Sequence, residues 1–415
     1  MRQSLIGENI MSNPVLTRTP RAAWARTIER SVLQEMLEAS AKPGILSFAL
    51  GLPAAELFPI EEYRQSLNRV LSANPRSLQY GPPLQSLRKQ IVKLMELRGV
   101  RCSEEQVFLT AGAQQGAHML TRLLLDPGGC VVTEELTYPG FQQVLQPYRP
   151  RVLSVSTDRG TGMNVDELER LLNSAERPSL IYSVTDGHNP LSVSMCLEKR
   201  QQLVQLARRY QVPVIEDDPY GFLWYEKKSL PPLRAFDEKW VYYVGTFSKM
   251  LAPGLRAGWI VMPEELVAPL SVIKESIDIN MAPFTQHVVA DYLATGHLEK
   301  HLDMLRHEYS ARRDALHLAL QEYFPSGAVW QRPTNGVFFW VELPEDVDTG
   351  DLLHVAIETE KVAFIPGFAF NTSAKPCARN TMRLNFSHNS VELIAEGIAR
   401  LGRCLKRHSL VSVKM

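Results

Sequence analysis

Neither sign of charge prevails in this chain: Lys and Arg total 45, and so do Asp and Glu. Such a balance supplies no field to draw in nucleic acid or an anionic membrane. No run of 18 apolar residues occurs, so no bilayer-spanning helix is encoded. The first twenty residues lack the unbroken apolar stretch of a secretory signal. Cysteine is scarce. Cys102, Cys130, Cys196, Cys377 and Cys404 are odd in number and form no Cys-x-x-Cys pair. That pattern favours free thiols in a reducing, cytoplasmic setting over a disulfide or zinc framework. His297 and His301 lie four apart with His307 beyond, but no third ligand at convincing spacing follows, so no metal is expected. Also missing are G-x-G-x-x-G, a P-loop Gly-Lys-Ser/Thr and G-x-S-x-G. Dinucleotide, nucleoside triphosphate and serine-hydrolase chemistry therefore have no signature here. No internal repeat or low-complexity tract is present.

What is present is an alternation. Short apolar runs at 107–109, 130–133, 152–155, 180–184, 212–216, 241–245 and 258–261 read as strands. Amphipathic stretches at 114–125, 165–174 and 197–210 read as helices between them. That order predicts an α/β fold with a mainly parallel, seven-stranded-type sheet covered on both faces. Ligands of such sheets bind beyond the carboxyl ends of the strands. A long helix is expected over 296–322, then apolar runs at 327–330 and 336–343 and a helix at 351–359. Strands at 361–365 and 382–386 and a closing helix at 391–404 complete a smaller α+β unit. The expected division is a mobile arm (1–26), an N-terminal segment packing with the small unit (27–58), a large domain (59–296) and a small one (297–415).

The chemistry concentrates around Thr246-Phe247-Ser248-Lys249, with Arg256 seven residues on and Asp217-Asp218-Pro219-Tyr220 about thirty residues before. Lys249 is a candidate imine-forming amine and general base. An ordinary lysine, with a pKa of ~10.4, is a poor nucleophile at neutral pH and must be tuned for this work. Asp217 is a candidate partner for a protonated ring nitrogen, and Arg256 a candidate phosphate clamp. Tyr220 can donate to a ring hydroxyl oxygen. Amine, acid and phosphate partner together are what pyridoxal 5′-phosphate requires. Phosphate donors are also available from the small residues after the 107–109 strand, where a helix start exposes N–H groups, and from Thr246 and Ser248. Any one of these features alone is also ordinary loop or cap chemistry. Arg312-Arg313 reads as a solvated or interdomain basic pair.

The order of these motifs resembles the fold-type I pyridoxal-phosphate enzymes, and within them class I/II aminotransferases near the 2-aminoadipate, kynurenine and multi-substrate branch. The resemblance runs from about residue 30 to 405. Residues 48–59 are similar to that family's F-A-G-G-L-P-x-x-E-L-F-P, and Glu216 to Tyr220 match its E-D-D-P-Y. Thr246 to Arg256 match its S-F-S-K…G-L-R, and Asn189-Pro190 begin its N-P-T-G. The resemblance implies that Ala113 and Gln114 meet the phosphate, Tyr138 stacks on the cofactor, and Asn189 bonds the ring hydroxyl oxygen. It implies that Arg383, in Met382-Arg383-Leu384-Asn385-Phe386-Ser387, grips the substrate α-carboxylate as a bidentate fork. Tyr80 is implied to reach the partner subunit's cofactor phosphate, which makes the protein a homodimer with composite sites.

Substrate-facing positions depart from the family. Gln34 stands where relatives carry an arginine, and Leu50 replaces the first of two glycines. Leu191-Ser192 replace Thr-Gly, and Asp186-Gly187-His188 precede Asn189. The leading expectation is an aminotransferase passing the amino group of an L-amino acid to a 2-oxo acid, with Lys249, Asp217 and Arg383 at its centre. Loss of the arginine at Gln34 and the acid at Asp186 suit a neutral or basic side chain over an acidic one. The alternative is elimination, cyclisation or oxidation of an amino acid, such as an arginine derivative, in natural-product biosynthesis. A DNA-binding regulator built on the same scaffold is set aside, because only about forty residues precede the residue-48 motif.

Overall fold

A computed structural model describes residues 21–28, 32–40, 42–174, 177–373 and 377–412. Most of the expected arm, residues 1–20, lies outside the described residues. Its end forms a short 3₁₀ turn, Ala23–Thr27, whose Ala23 carbonyl accepts a bond from Arg149.

Apart from a small hairpin, Thr157–Asp158 with Gly162–Met163, the strands in chain order are β1 (Leu46–Ser47), β2 (Val107–Thr110), β3 (Cys130–Glu134), β4 (Arg151–Val155), β5 (Leu180–Ser183), β6 (Val214–Asp218), β7 (Val241–Thr246) and β8 (Gly258–Val261). They continue with β9 (Val329–Trp330), β10 (Phe338–Glu342), β11 (Val362–Ala363), β12 (Ile365–Pro366) and β13 (Thr381–Asn385). The helices that matter below are α1 (Val32–Ser40), α2 (Ile60–Ala73), α3 (Gln85–Leu97), α4 (Ala113–Leu124), α5 (Pro139–Leu145), α6 (Leu197–Tyr210) and α7 (His297–Tyr323).

Seven strands form one sheet in the order β2-β8-β7-β6-β5-β3-β4. All neighbours are parallel except β8, which runs antiparallel to both β2 and β7. β6 and β7 are buried at every position, as strands covered on both faces must be. Their carboxyl ends, with those of β2, β3 and β5 and the start of β8, meet along one edge. The expected strands and helices of this sheet are all found.

A second sheet, β9-β10-β13-β12, is wholly antiparallel. Here one expectation is corrected. The single strand predicted at 361–365 is two: β11 pairs in parallel with β1, whereas β12 pairs with β13. An apolar run that serves two sheets in succession looks like one continuous strand from sequence. The pairing of β1 with β11 ties the N-terminal segment to the C-terminal part. The helix predicted at 351–359 is a short α-helix, Thr349–Val355, followed by a π-turn, Ala356–Glu360.

Long α7 joins the two sheets. Arg312 and Arg313 on it are not solvated but buried. Arg312 bonds Glu56 at 2.8 Å and the Ser387 carbonyl at 3.0 Å. Arg313 bonds the Pro333 carbonyl at 2.9 Å and Glu226 at 3.3 Å. Each guanidinium spends its donors on several acceptors, which offsets the desolvation of the charge.

Candidate active site

A cavity of about 370 Å³ opens at the edge where the carboxyl ends of the parallel strands converge. Twelve of the fourteen expected site residues line it: all except Gln34 and Tyr80. They come from separate elements. Ala113 and Gln114 start α4, Asp217 lies in β6, and Lys249 sits in the turn after β7. Arg383 arrives from β13 in the second sheet.

Strand alternation sorts the three acids of Glu216-Asp217-Asp218. Successive side chains point to opposite faces, so the middle one stands alone. Glu216 accepts from the Leu233 and Arg234 amides at 2.7 and 3.0 Å and from Thr185 Oγ1 at 2.8 Å. Burial pushes its carboxyl up to about 7. Asp218 accepts from Tyr243 at 3.0 Å, the Gly221 amide at 2.6 Å and Arg98 at 3.2 Å. Both are structural acceptors for loops. Only Asp217 faces the cavity, and its Oδ2 accepts from the Tyr182 hydroxyl at 2.7 Å. Its Oδ1 is buried and has no partner. Burial raises this carboxyl to about 6, against the Tyr182 bond, which lowers it.

Lys249 Nζ donates to the Gly51 carbonyl at 2.5 Å. A Cβ on Gly51 would come within 2.8 Å of Phe338 Cζ and 3.7 Å of Nζ itself. The glycine therefore lets the N-terminal segment lie against the lysine. Burial lowers the ammonium to about 8, with the charges of Arg383 and Arg256 adding in the same direction. At pH 7 roughly a tenth of this lysine is therefore free amine, far more than for an ordinary lysine.

The same cavity is lined by a group of anion-binding donors. Gly112 caps α4 at φ 95°, a backbone conformation that favours glycine. A Cβ there would lie 2.9 Å from Arg256 Nη2, so the guanidinium needs that space. Arg256 Nη2 donates to the Ala111 carbonyl at 2.8 Å. Ser248 N–H donates to Thr246 Oγ1 at 3.1 Å, and the two hydroxyls lie 3.0 Å apart. The unpaired N–H groups opening α4 complete an anion site.

Arg383 is buried between two aromatic faces, 3.9 Å from the Phe338 centroid and 4.9 Å from that of Phe370. Tyr220 hydrogen-bonds Asn189, and burial pushes its phenol up. The departure at Ser192 has a local account. It takes φ 59°, where the family's glycine would be unstrained, and its Oγ donates to the Phe338 carbonyl at 2.6 Å.

Some expectations need correction. Asp186 is not a substrate-facing acid. It is buried and holds Arg98 at 2.6 Å and Arg200 at 2.7 Å. His188 is likewise buried, with Nε2 3.0 Å from Glu134. From α1, Leu37 rather than Gln34 lines the cavity of a single chain. Tyr80 is 78% exposed and outside that cavity. Sequence reading missed Leu37, Val184 and Phe338, apolar residues that no motif marks. It also missed Tyr182, which nothing but strand register marks.

The residues fit pyridoxal phosphate: an orphaned acceptor for the ring N–H, an amine of lowered pKa and a cradle for an anion share one cavity. Residues 45–401 match the family of class I and II aminotransferases. The chain belongs to that family. The enzyme is 36% identical to aromatic-amino-acid aminotransferase 1 of Thermococcus litoralis over 388 residues, 91% of this chain and 92% of the relative. It superposes on the kynurenine aminotransferase of Pyrococcus horikoshii, solved with PMP, with a TM-score of 0.88. Identity there is 35%, covering 95% of this chain and 98% of the other. The α-aminoadipate aminotransferase LysN of Thermus thermophilus, solved with N-(5′-phosphopyridoxyl)-L-leucine, gives 0.86 at 34% identity, covering 94% and 98%. The enzyme is a pyridoxal-phosphate-dependent aminotransferase of fold type I, acting on small amino and oxo acids. Nothing favours elimination, cyclisation or oxidation. No described helix is long and apolar enough to cross a membrane.

Proposed function

We propose that this aminotransferase moves the amino group of an L-amino acid with an uncharged, largely apolar side chain to a 2-oxo acid such as 2-oxoglutarate. The observation that carries the reading is one cavity shared by Lys249 Nζ, the unpartnered Asp217 Oδ1 and Arg383. Bound pyridoxal phosphate supplies the electron sink. Lys249 would be the residue to hold its aldehyde and to move the proton at the substrate Cα. Asp217 pairs with the ring nitrogen, and Tyr220 and Asn189 face the ring hydroxyl. Tyr138 stacks on the ring. Ala113, Gln114, Thr246, Ser248 and Arg256 take the phosphate. Arg383 takes the α-carboxylate.

The side-chain preference rests on the remaining wall. Leu37, Leu50, Leu52, Val184 and Phe338 are apolar, and Asp217 is the only acid among the described lining residues. With Asp186 committed to arginines, a cationic side chain finds no partner there, which narrows the earlier neutral-or-basic expectation. Gln34 lacks the charge to grip an acidic one. The test compares kcat/KM for leucine, phenylalanine, arginine and 2-aminoadipate. Leucine or phenylalanine should lead 2-aminoadipate by about ten- to a hundred-fold. A lead for 2-aminoadipate or arginine sinks the substrate assignment and leaves the cofactor assignment standing.

We also propose a cytoplasmic homodimer with composite sites, divided near residues 26, 58 and 296 as the sequence suggests. Ile60, Leu67 and Leu71 share an exposed apolar face of α2, and Leu78 and Tyr80 follow it. Ile279 nearby is 59% exposed at φ 64°, a strained position for a β-branched residue. Such a patch suits a two-fold partner. Sedimentation at micromolar concentration should give a dimer. A fully active monomer removes the role of Tyr80.

A further inference from the structure

The residue that holds Asp217 lies outside every motif read from the sequence. In the parallel pairing of β5 with β6, Tyr182 sits opposite Ile215. Asp217 is two residues further along and therefore on the same face. The Tyr182 hydroxyl meets Asp217 Oδ2 at 2.7 Å. The tyrosine ring is stacked on Phe141, centroids 3.7 Å apart and planes 6° from parallel. Sheet and stacked ring together leave the hydroxyl one direction. Asp217 Oδ1, the other oxygen, has no partner.

We infer that Tyr182 is a positioning residue for transamination. Its hydroxyl occupies Oδ2, keeps the Asp217 carboxylate ionised and turns Oδ1 towards the cofactor's ring nitrogen. This rests on the ring-nitrogen role of Asp217 proposed above.

The electrostatic argument concerns where a single proton resides. A buried carboxylate and a pyridine nitrogen can share it as an ion pair or as a neutral pair. Burial favours the neutral pair, with the proton on Asp217. A hydrogen bond donated to the ionised carboxylate favours the ion pair, with the proton on the ring. The groups around Asp217 divide accordingly. Lys249 supports its charge and Asp218, across the strand, opposes it. Tyr138 and Tyr220 stand nearby as neutral phenols, both pushed up by burial. Only Tyr182 combines a direct bond with a fixed ring. Its own phenol is pushed well above the ordinary range, first by burial and then by Asp217, so it remains a donor at any working pH.

The experiment measures pyridoxal phosphate affinity of the apoprotein and the pH midpoint of the visible absorbance of the Lys249-bound cofactor. Tyr182→Phe keeps the stacked ring and removes only the hydroxyl. It should weaken binding about ten-fold and raise the midpoint by about half a pH unit or more. In an Asp217→Asn background the same change should do neither. Equal losses in both backgrounds, or no change in the first, overturn the inference. Asp217→Asn with wild-type affinity and midpoint overturns the role of Asp217 itself, a separate result. Should Tyr182→Phe not fold, 3-fluorotyrosine at position 182 keeps the shape and strengthens the donor. The midpoint should then fall, and a rise or no shift overturns the inference.

Discussion

Arg383 Nη1 donates to Asn189 Oδ1 at 2.6 Å, while Nη2 donates to the Ala49 carbonyl at the same distance. One cation from the second sheet thus joins the loop after β5 to the N-terminal segment. Its Nε, buried between aromatic faces, has no partner. Burial lowers the guanidinium to about 10, which leaves it charged at neutral pH.

Arg383→Lys keeps a charge and loses the planar fork that suits both these acceptors and a carboxylate. The expected result is a fall of about a hundred-fold in kcat/KM for the amino acid. Cofactor content and visible spectrum should stay close to wild type. Steady-state kinetics with a spectrum of the purified variant checks both, and lost cofactor would point to a structural role instead.

Lys249→Ala should fold and bind no cofactor covalently, because no other lysine lines the cavity among the described residues. Borohydride reduction of the wild type and peptide mapping should find the label on Lys249. A label elsewhere contradicts the assignment.

Capture of the cofactor by apoprotein should show an unusual pH dependence. The neutral amine is the nucleophile, and Lys249 is lowered to about 8 from an ordinary value of 10.5. The rate should therefore rise through a midpoint near 8 and level off above it. Stopped-flow absorbance across pH 6 to about 10 is the measurement. A midpoint near an ordinary lysine's shows that the amine is not desolvated.

Asp217→Asn should stabilise the apoprotein above pH 6 while impairing the enzyme. The folded carboxyl is raised to about 6 from 3.8, so the folded state binds more protons across that window. Stability from this group is present at low pH and is lost as pH rises through about 6. The shift of about two units corresponds to at most about 3 kcal/mol. Denaturant titrations should show Asn ahead of Asp at pH 8 and no difference near pH 4. An equal difference at both pH values rules out the titration.

Fold class, cofactor and most of the residues that line the candidate site were written locally in the chain. A strand covered on both faces must be a short apolar run, so the seven strands announce themselves. An amine, an acid and a phosphate partner occur in a fixed order, because the loops at one sheet edge are successive in sequence. Tertiary structure alone decided the rest. Asp186 and Asp217 are both acids at the ends of apolar runs, and nothing local separates them. Packing gave Asp186 two arginines and left Asp217 Oδ1 bare. Tyr182 reads as core until register sets it beside Asp217. The 361–365 run reads as one strand until two sheets divide it. In each case the deciding energy is a contact between residues far apart in the chain, and periodicity within one segment carries no record of its partners.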